Sequence, residues 1–325
     1  PASGSRVKIF AFGDLGEHPR DDSAQGQGEP WYSQQYAYGD PGAHNTTAAM
    51  QAEHRNEPAD LVLHNGDLSY AMGYSSMWEV YHDNIEALSA GIPWMVTMGN
   101  HERDWPGSNS TVFGGADSMG ECGVPTMRRF AAHPFASRRL PPDDQPWYAL
   151  SIGAVTIVAT STEHDLRPGS AQYAWLDRTL AAVDRKATPW LLLAGHRPYL
   201  VDSSWSEDQD FAAYFQAAVG HLIELHRVDV ILGGHHHSYQ RSCAVRSGKC
   251  SQEGTVVLNV GMAGAGLNRV DTMMPPTFLY ADDKHYGYCR IVADAETLTA
   301  EFIHSNNRKV YDLVTLRKRD SQSFV

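Results

Sequence analysis

Three histidines in a row follow two glycines in the stretch from Ile231 to Arg241. The run before them, Val228–Leu232, is apolar, so a buried strand should stop at Gly233-Gly234 with imidazoles at its carboxyl end. Neutral imidazole is the commonest metal ligand among side chains near pH 7. His235 and His237 are two apart, so an extended chain would aim both one way and His236 the other. The same grammar of apolar run, glycine and metal-capable side chain recurs at four more places. Val7–Phe12 runs into Gly13-Asp14, and Asp60–His64 into Gly66-Asp67 with Tyr70 close behind. Pro93–Thr97 runs into Gly99-Asn100-His101, and Trp190–Ala194 into Gly195-His196. One such aspartate only caps a turn. Five strand ends together offer carboxylate, imidazole, amide and phenol with no cysteine, which suits two hard or borderline cations such as Fe, Mn or Zn. A carboxylate shared by two metals roughly 3.5–4 Å apart clamps the attacking and leaving oxygens of a phosphoryl group.

These ends must be brought to one place by the fold. Helix-length segments separate the first strands, His44–Asn56 and about Ser75–Ala90, which implies parallel βαβ units. Open α/β sheets place ligands at the carboxyl ends of such strands. Trp147–Ser151 and Val155–Thr160 read as a strand pair about Gly153, and Ala171–Lys186 and Phe211–Arg227 as helices. Thereafter the chain reads as strands: Thr255–Val260, Gly261–Gly266, Tyr286–Asp294, Leu298–His304 and Val310–Leu316. The fold class expected is α/β, with two packed mixed β-sheets flanked by helices, because buried sheets need cover on both faces.

The chain of 325 residues shows no hinge or internal repeat and is read as a single domain, 1–325. Glu17–Pro41 and Arg103–Pro146 are long irregular stretches, read as functional loops. A formal charge of -12 argues against a nucleic-acid polymer or an anionic membrane as partner. Phosphate substrates stay open, because a bound cation dominates its local field. No apolar run is long enough to span a membrane. No signal peptide is visible before the first strand, as expected of a mature or trimmed chain. Cys243 and Cys250 flank the turn Ser247-Gly248-Lys249, so a hairpin-closing disulfide fits; Cys122 and Cys289 are a long-range pair or free thiols. Two glycosylation triplets begin at Asn45 and Asn109. With the cysteines, they favour a secreted, secretory-pathway or vacuolar location.

Gly13-Asp14-Leu15-Gly16, Gly66-Asp67-Leu68-Ser69-Tyr70, Gly99-Asn100-His101-Glu102, Gly195-His196-Arg197-Pro198 and the stretch Gly234–Arg241 together resemble the five blocks of the purple acid phosphatases, within the calcineurin-like metallophosphoesterases. Asn100–Gly107, Gly120–Pro125, Thr162–Asp165 and Val183–Lys186 are similar to the plant diphosphonucleotide phosphatase/phosphodiesterase branch. The resemblance implies a metallophosphoesterase β-α-β sandwich and a binuclear-metal acid phosphatase. Its substrates would be phosphomonoesters and nucleotide di- and triphosphates, attacked at phosphorus by a metal-activated hydroxide. It implies Fe(III) held by Asp14, Asp67, Tyr70 and His237, and a divalent Fe, Zn or Mn held by Asn100, His196 and His235, with Asp67 bridging. His101 would bind phosphate or protonate the leaving group. The sequence opens close to the first strand, so the N-terminal fibronectin-like domain of larger relatives is expected to be absent. Dimers of the family can involve that domain, so a monomer is expected.

The sequence departs from the family pattern twice. His236 stands where the family has an apolar residue or Asn, and alternation makes it a surface or supporting histidine. Many members carry a second catalytic histidine after the His-x-Pro block; none lies in Pro198–Gln216, and His164 is the candidate replacement, or else a loop histidine. Arg103 and Arg197 are candidate substrate-phosphate contacts or structural ion-pair partners. Trp105, Tyr199 and Trp205 line a nucleobase pocket or pack locally. His64, Asn65, Glu102 and Arg241 are candidates for fixing the ligand imidazoles. Two other functions stay open: a phosphodiesterase with two divalent metals, and a non-catalytic binding or storage protein.

Overall fold

The structure is a computed structural model that describes residues 1–18, 40, 42–103, 115, 117–130, 144–271 and 275–318. Most of the two long irregular stretches, with Trp105 and Asn109, lies outside the described residues. In chain order the elements are β1 (Val7–Phe12), α1 (Ala43–Asn56), β2 (Leu61–His64), α2 (Ser75–Ser89), β3 (Trp94–Val96), α3 (Val124–Arg129), β4 (Tyr148–Ile152), β5 (Val155–Ala159), α4 (Ala171–Ala181), β6 (Trp190–Ala194), α5 (Ser206–Leu225), β7 (Val230–Gly233), β8 (Tyr239–Arg246), β9 (Lys249–Cys250), β10 (Thr255–Val260), β11 (Phe278–Asp282), β12 (Gly287–Ala293), β13 (Thr297–His304) and β14 (Val310–Arg317). One sheet has the order β14-β13-β12-β1-β2-β3, the other β11-β8-β10-β7-β6-β5-β4 with β9 beside β8. β1, β2 and β3 pair in parallel, and so do β5, β6, β7 and β10; the remaining pairings are antiparallel, so both sheets are mixed.

The apolar runs are continuous because both faces of the central strands are covered. In β6, Leu192 and Ala194 enter the core shared by the two sheets, while Leu191 and Leu193 enter a second core with Leu176, Phe211, Phe215 and Leu222 of α4 and α5. α1 and α2 cover the other sheet through Met50, Trp78, Tyr81 and Ile85. Lys8 of β1 is fully buried there, its ammonium 2.7 Å from Glu53 of α1. Arg290 of β12 reaches the same carboxylate at 3.0 Å, so a charge network compensates the buried lysine.

Four local expectations change. Gly261–Gly266 is a loop, not a strand: the N–H groups of Ala263, Gly264 and Ala265 turn back to the carbonyls of Gly13 and Asp14. Its glycines let two backbones touch; a Cβ on Gly264 would come 1.8 Å from the Leu15 carbonyl oxygen. α4 stops at Ala181, and the Asp184 side chain then accepts the N–H groups of Lys186 and Ala187 in a turn. α5 starts at Ser206, five residues before Phe211, with Glu207 and Asp208 in its first turn, where the helix dipole favours acids. β8 and β11 fall outside the expected strands; in β8, buried polar residues such as Gln240 interrupt the apolar pattern. Cys243 and Cys250 form the disulfide, and Cys122 and Cys289 are free. Asn45 is exposed near the start of α1. No helix among the described residues is long and apolar enough to cross a membrane.

Candidate metal centre

The turns after β1, β2 and β3 of one sheet meet those after β6 and β7 of the other. Backbone hydrogen bonds lace them together: Asp14 N–H to Gly66 O (3.1 Å), Leu15 N–H to Asp67 O (3.2 Å) and Gly234 N–H to His196 O (2.6 Å). Asp14, Asp67, Tyr70 and His235 all take left-handed backbone angles, with φ of 60°, 48°, 51° and 68°. Aspartate tolerates this region; tyrosine and histidine adopt it at a cost, and such strain clusters at functional sites.

Two groups of donor atoms result. Asn100 Oδ1 is 2.9 Å from His196 Nε2 and 2.9 Å from His235 Nδ1, which lie 3.3 Å apart. Asp67 Oδ1 closes this group at 3.3 Å from His196 Nε2. In the second, Tyr70 Oη is 3.3 Å from Asp14 Oδ1 and 3.0 Å from His237 Nε2, and His237 lies 3.4 Å from Asp14. Asp67 is near enough to this group, as to the first, to serve as a ligand in both. Metal–ligand bonds of 2.0–2.1 Å put adjacent donors roughly 2.9–3.4 Å apart, so both groups fit a cation each. His235 and His237 thus face different groups, not one; His235 has left the extended conformation that strict alternation assumed. His236 is not on the surface: it is buried, its Nδ1 2.8 Å from Ser238 Oγ and its ring against Trp205.

Each imidazole is held from behind. His196 Nδ1 faces the Asn65 carbonyl at 2.9 Å, and His237 Nδ1 the Gly266 carbonyl at 2.7 Å, which leaves each Nε2 as the ligand atom. His235 Nε2 is 3.4 Å from Asp208 Oδ1 and 3.2 Å from Arg197 Nη1. Asn100 Nδ2 donates to Asp117 at 3.0 Å, which turns its oxygen toward the imidazoles. Asp14 accepts the His235 N–H on both oxygens, at 3.1 and 2.9 Å. Glu102 accepts three backbone N–H groups, those of Asp67, Leu68 and Gly99. Of the other supporting candidates, His64 is buried against Tyr81, and Arg241 pairs with Asp312 away from the centre. Asp208 and Asp117 were missed; for Asp208 the available signal was the acidic first turn of α5.

The charges explain the titration. Burial raises the Asp67 carboxyl, but the imidazoles of His196 and His101 outweigh it and hold the group well below its ordinary value. Burial likewise opposes protonation of His196, and the charges of Asp67 and Asp14 overcome it and raise the ring. At His235 burial wins, with Arg197 adding to it, and the ring stays neutral down to about 3. Burial, then Asp67 and Asp14, hold the Tyr70 phenol well above its usual value.

His101 lies beside both groups: its N–H donates to Asp67 Oδ1 at 3.1 Å and its ring packs on Tyr70 at 4.3 Å. Its Nδ1 is buried with no partner among the described residues. His164 is bonded elsewhere, with Nδ1 2.7 Å from Ser161 Oγ and Nε2 3.4 Å from Asp144. Asp144 also pairs with Arg103. Arg197 is paired with buried Glu163 at 2.9 Å. Both arginines are therefore ion-pair partners in the structure, and Arg197 alone of the two touches a candidate ligand. Tyr199 packs on Phe215 in the second core, whereas Trp205 is exposed at the start of α5.

Residues 7–239 match the calcineurin-like phosphoesterase family, and 254–313 match the iron/zinc purple acid phosphatase-like protein C family. The chain belongs to the calcineurin-like phosphoesterases, and within them to the purple acid phosphatases, a family of hydrolases. It is 33% identical to the nucleotide pyrophosphatase/phosphodiesterase of Hordeum vulgare, over 98% of this chain and 85% of that protein. It is 34% identical to the probable inactive purple acid phosphatase 27 of Arabidopsis thaliana, over 97% of this chain and 51% of that protein. The structure of purple acid phosphatase PPD1 from yellow lupin (Lupinus luteus) seeds superposes with a TM-score of 0.80 at 30% identity, covering 98% of this chain and 55% of that one. The chain spans about half the length of several curated relatives it matches. The family implies a binuclear metal centre, and the two donor groups could hold it.

Proposed function

We infer that the protein is a binuclear-metal acid phosphatase acting on phosphomonoesters, with nucleotide di- and triphosphates as a second substrate class. The observation that carries this reading is the pair of donor groups sharing Asp67. When bound, two cations supply an activated water and a positive field for the phosphoryl oxygens. Tyr70 supports a ferric ion in the group of Asp14, Asp67 and His237, because a phenolate oxygen beside carboxylates is a hard, anionic donor suited to a strongly charged cation. Asn100, His196 and His235 suit divalent Fe, Zn or Mn. The Hordeum relative's name supports the nucleotide substrates. The disulfide and exposed Asn45 support a secretory location.

The name of the Arabidopsis relative raises the non-catalytic alternative. One sample decides: visible absorption, iron content and turnover of p-nitrophenyl phosphate, measured on the same purified protein. A violet band that Tyr70→Phe removes, together with turnover, is the expected result. Iron without a band would favour the two-divalent-metal phosphodiesterase. Full metal content without turnover would favour the binding protein.

His101 is placed to give a proton to the departing oxygen. Its replacement by Ala should lower kcat about 10²–10⁴-fold for an alkyl phosphate. The loss should be far smaller for p-nitrophenyl phosphate, whose phenolate leaves without a proton. Equal losses on both substrates would assign His101 to phosphate binding instead.

A further inference from the structure

A second group of ligand-type side chains lies outside this centre. Asp282 ends β11, His285 sits in the turn leading to β12, and His304 ends β13. Asp282 Oδ2 is 3.0 Å from His285 Nδ1 and 3.1 Å from His304 Nε2, and the three donor atoms all lie within 4.8 Å of one another. Asp282 Oδ1 is pinned by the N–H groups of Lys284 (2.9 Å) and His285 (3.0 Å), which fixes the carboxylate and aims Oδ2 at the two rings. The His304 side chain is 2% exposed, and its ring is stacked on Tyr311 at 3.4 Å and 4°.

We propose that Asp282, His285 and His304 form a mononuclear zinc site, separate from the catalytic centre, that ties the edge of one sheet to the other. Two imidazoles and one carboxylate without thiolate are a donor set zinc accepts, with water in the fourth position. The observed separations of 3.0 and 3.1 Å between Asp282 Oδ2 and the two nitrogens match neighbouring donors around one ion. One adjustment is needed. His285 and His304 stack at 4.3 Å with planes 22° apart, and a single ion must lie in the plane of both rings. His304 is clamped, whereas the His285 side chain is 47% exposed on a turn and can swing to meet the ion, which also gives the ion its way in. The ion would join sheet layers that the chain links at this end through the β11–β12 turn, because β11 is the outer strand of one sheet and β13 belongs to the other.

The test counts metal on the full chain. Protein first loaded at its catalytic centre is dialysed against zinc and assayed for metal content, p-nitrophenyl phosphate turnover and thermal midpoint. The wild type should take one equivalent beyond the catalytic complement and melt at higher temperature as zinc is added. His285→Ala and Asp282→Asn should each bind that equivalent at least about 100-fold more weakly, since even groups behind a ligand are worth 10–100-fold. Both variants should keep the catalytic metals and turnover. No extra equivalent in the wild type up to millimolar zinc, or an extra equivalent that survives in both variants, overturns the site and leaves Asp282 as a carboxylate bridging two imidazoles. Because catalytic metal and turnover are counted separately, neither result bears on the phosphatase reading.

Discussion

Asp67→Asn is expected to lower turnover at least about 10⁴-fold and to strip metal from both positions, because Asp67 is the one side chain common to the two donor groups. The substitution isolates the charge. Asn adopts the left-handed backbone that Asp67 occupies (φ 48°) as readily as Asp does, so the turn survives. An amide oxygen can still accept the His101 N–H that Asp67 Oδ1 accepts at 3.1 Å. What disappears is an anionic ligand able to lie between two cations, and with it the charge that faces His196 at 3.3 Å. Removing one general acid costs 10²–10⁴-fold. Losing the activated water and the field on the phosphoryl group together should exceed that. Metal analysis and kcat on the same preparation check it. Retention of both metals with turnover within tenfold of wild type would show that Asp67 does not bridge.

The strand-end turns were legible because their glycines are forced. A Cβ on Gly66, itself at φ 76°, would come 2.6 Å from His196 Nδ1, and one on Gly99 would come 2.1 Å from Asp67 Oδ1. A glycine before each ligand is therefore the mark that five backbones crowd onto one point, and that mark is written in the sequence. The local direction of the last block was not legible. Alternation supposes an extended chain, and the φ of 68° at His235 breaks it, so His235 and His237 part toward different groups while His236 turns inward. Side chains that act from behind were also hidden. Gln240 inside β8 is satisfied by Asp202, whose N–H it accepts at 2.8 Å and whose carbonyl it bonds at 3.0 Å, a pairing across 38 residues that no local pattern announces. Asp208 reaches His235 only because α5 begins a turn earlier than its apolar stripe suggests. His304 meets Asp282 only because the sheets pack.

Glu102 shows how one residue with no claim to a ligand role can govern the centre, and Glu102→Ala is expected to cost about 3–5 kcal/mol of stability along with nearly all activity. Its carboxylate is buried between two turns. Oε2 accepts the N–H of Asp67 at 2.8 Å and of Gly99 at 2.9 Å, and Oε1 accepts that of Leu68 at 2.7 Å. The turn after β2 carries Asp67 and Tyr70, and the turn after β3 carries Asn100 and His101, so this single side chain sets the spacing of four candidate site residues. Truncation leaves three buried N–H groups without acceptors, at about 1–3 kcal/mol each before the turns relax. Glu102→Gln keeps one acceptor oxygen and removes the other. One amide oxygen can still serve the Asp67 and Gly99 N–H groups, but the amide nitrogen then confronts the Leu68 N–H, donor against donor. The glutamine variant should therefore fall between wild type and alanine in both urea midpoint and metal affinity. Unfolding of each variant with and without metal measures the two effects apart: the metal-free loss reports the orphaned amides, and any additional loss with metal reports the displaced ligands. An alanine variant within 1 kcal/mol of wild type without metal, and within threefold in turnover with it, would mean that the turns hold their spacing without Glu102, and that the centre is organised by its ligands alone.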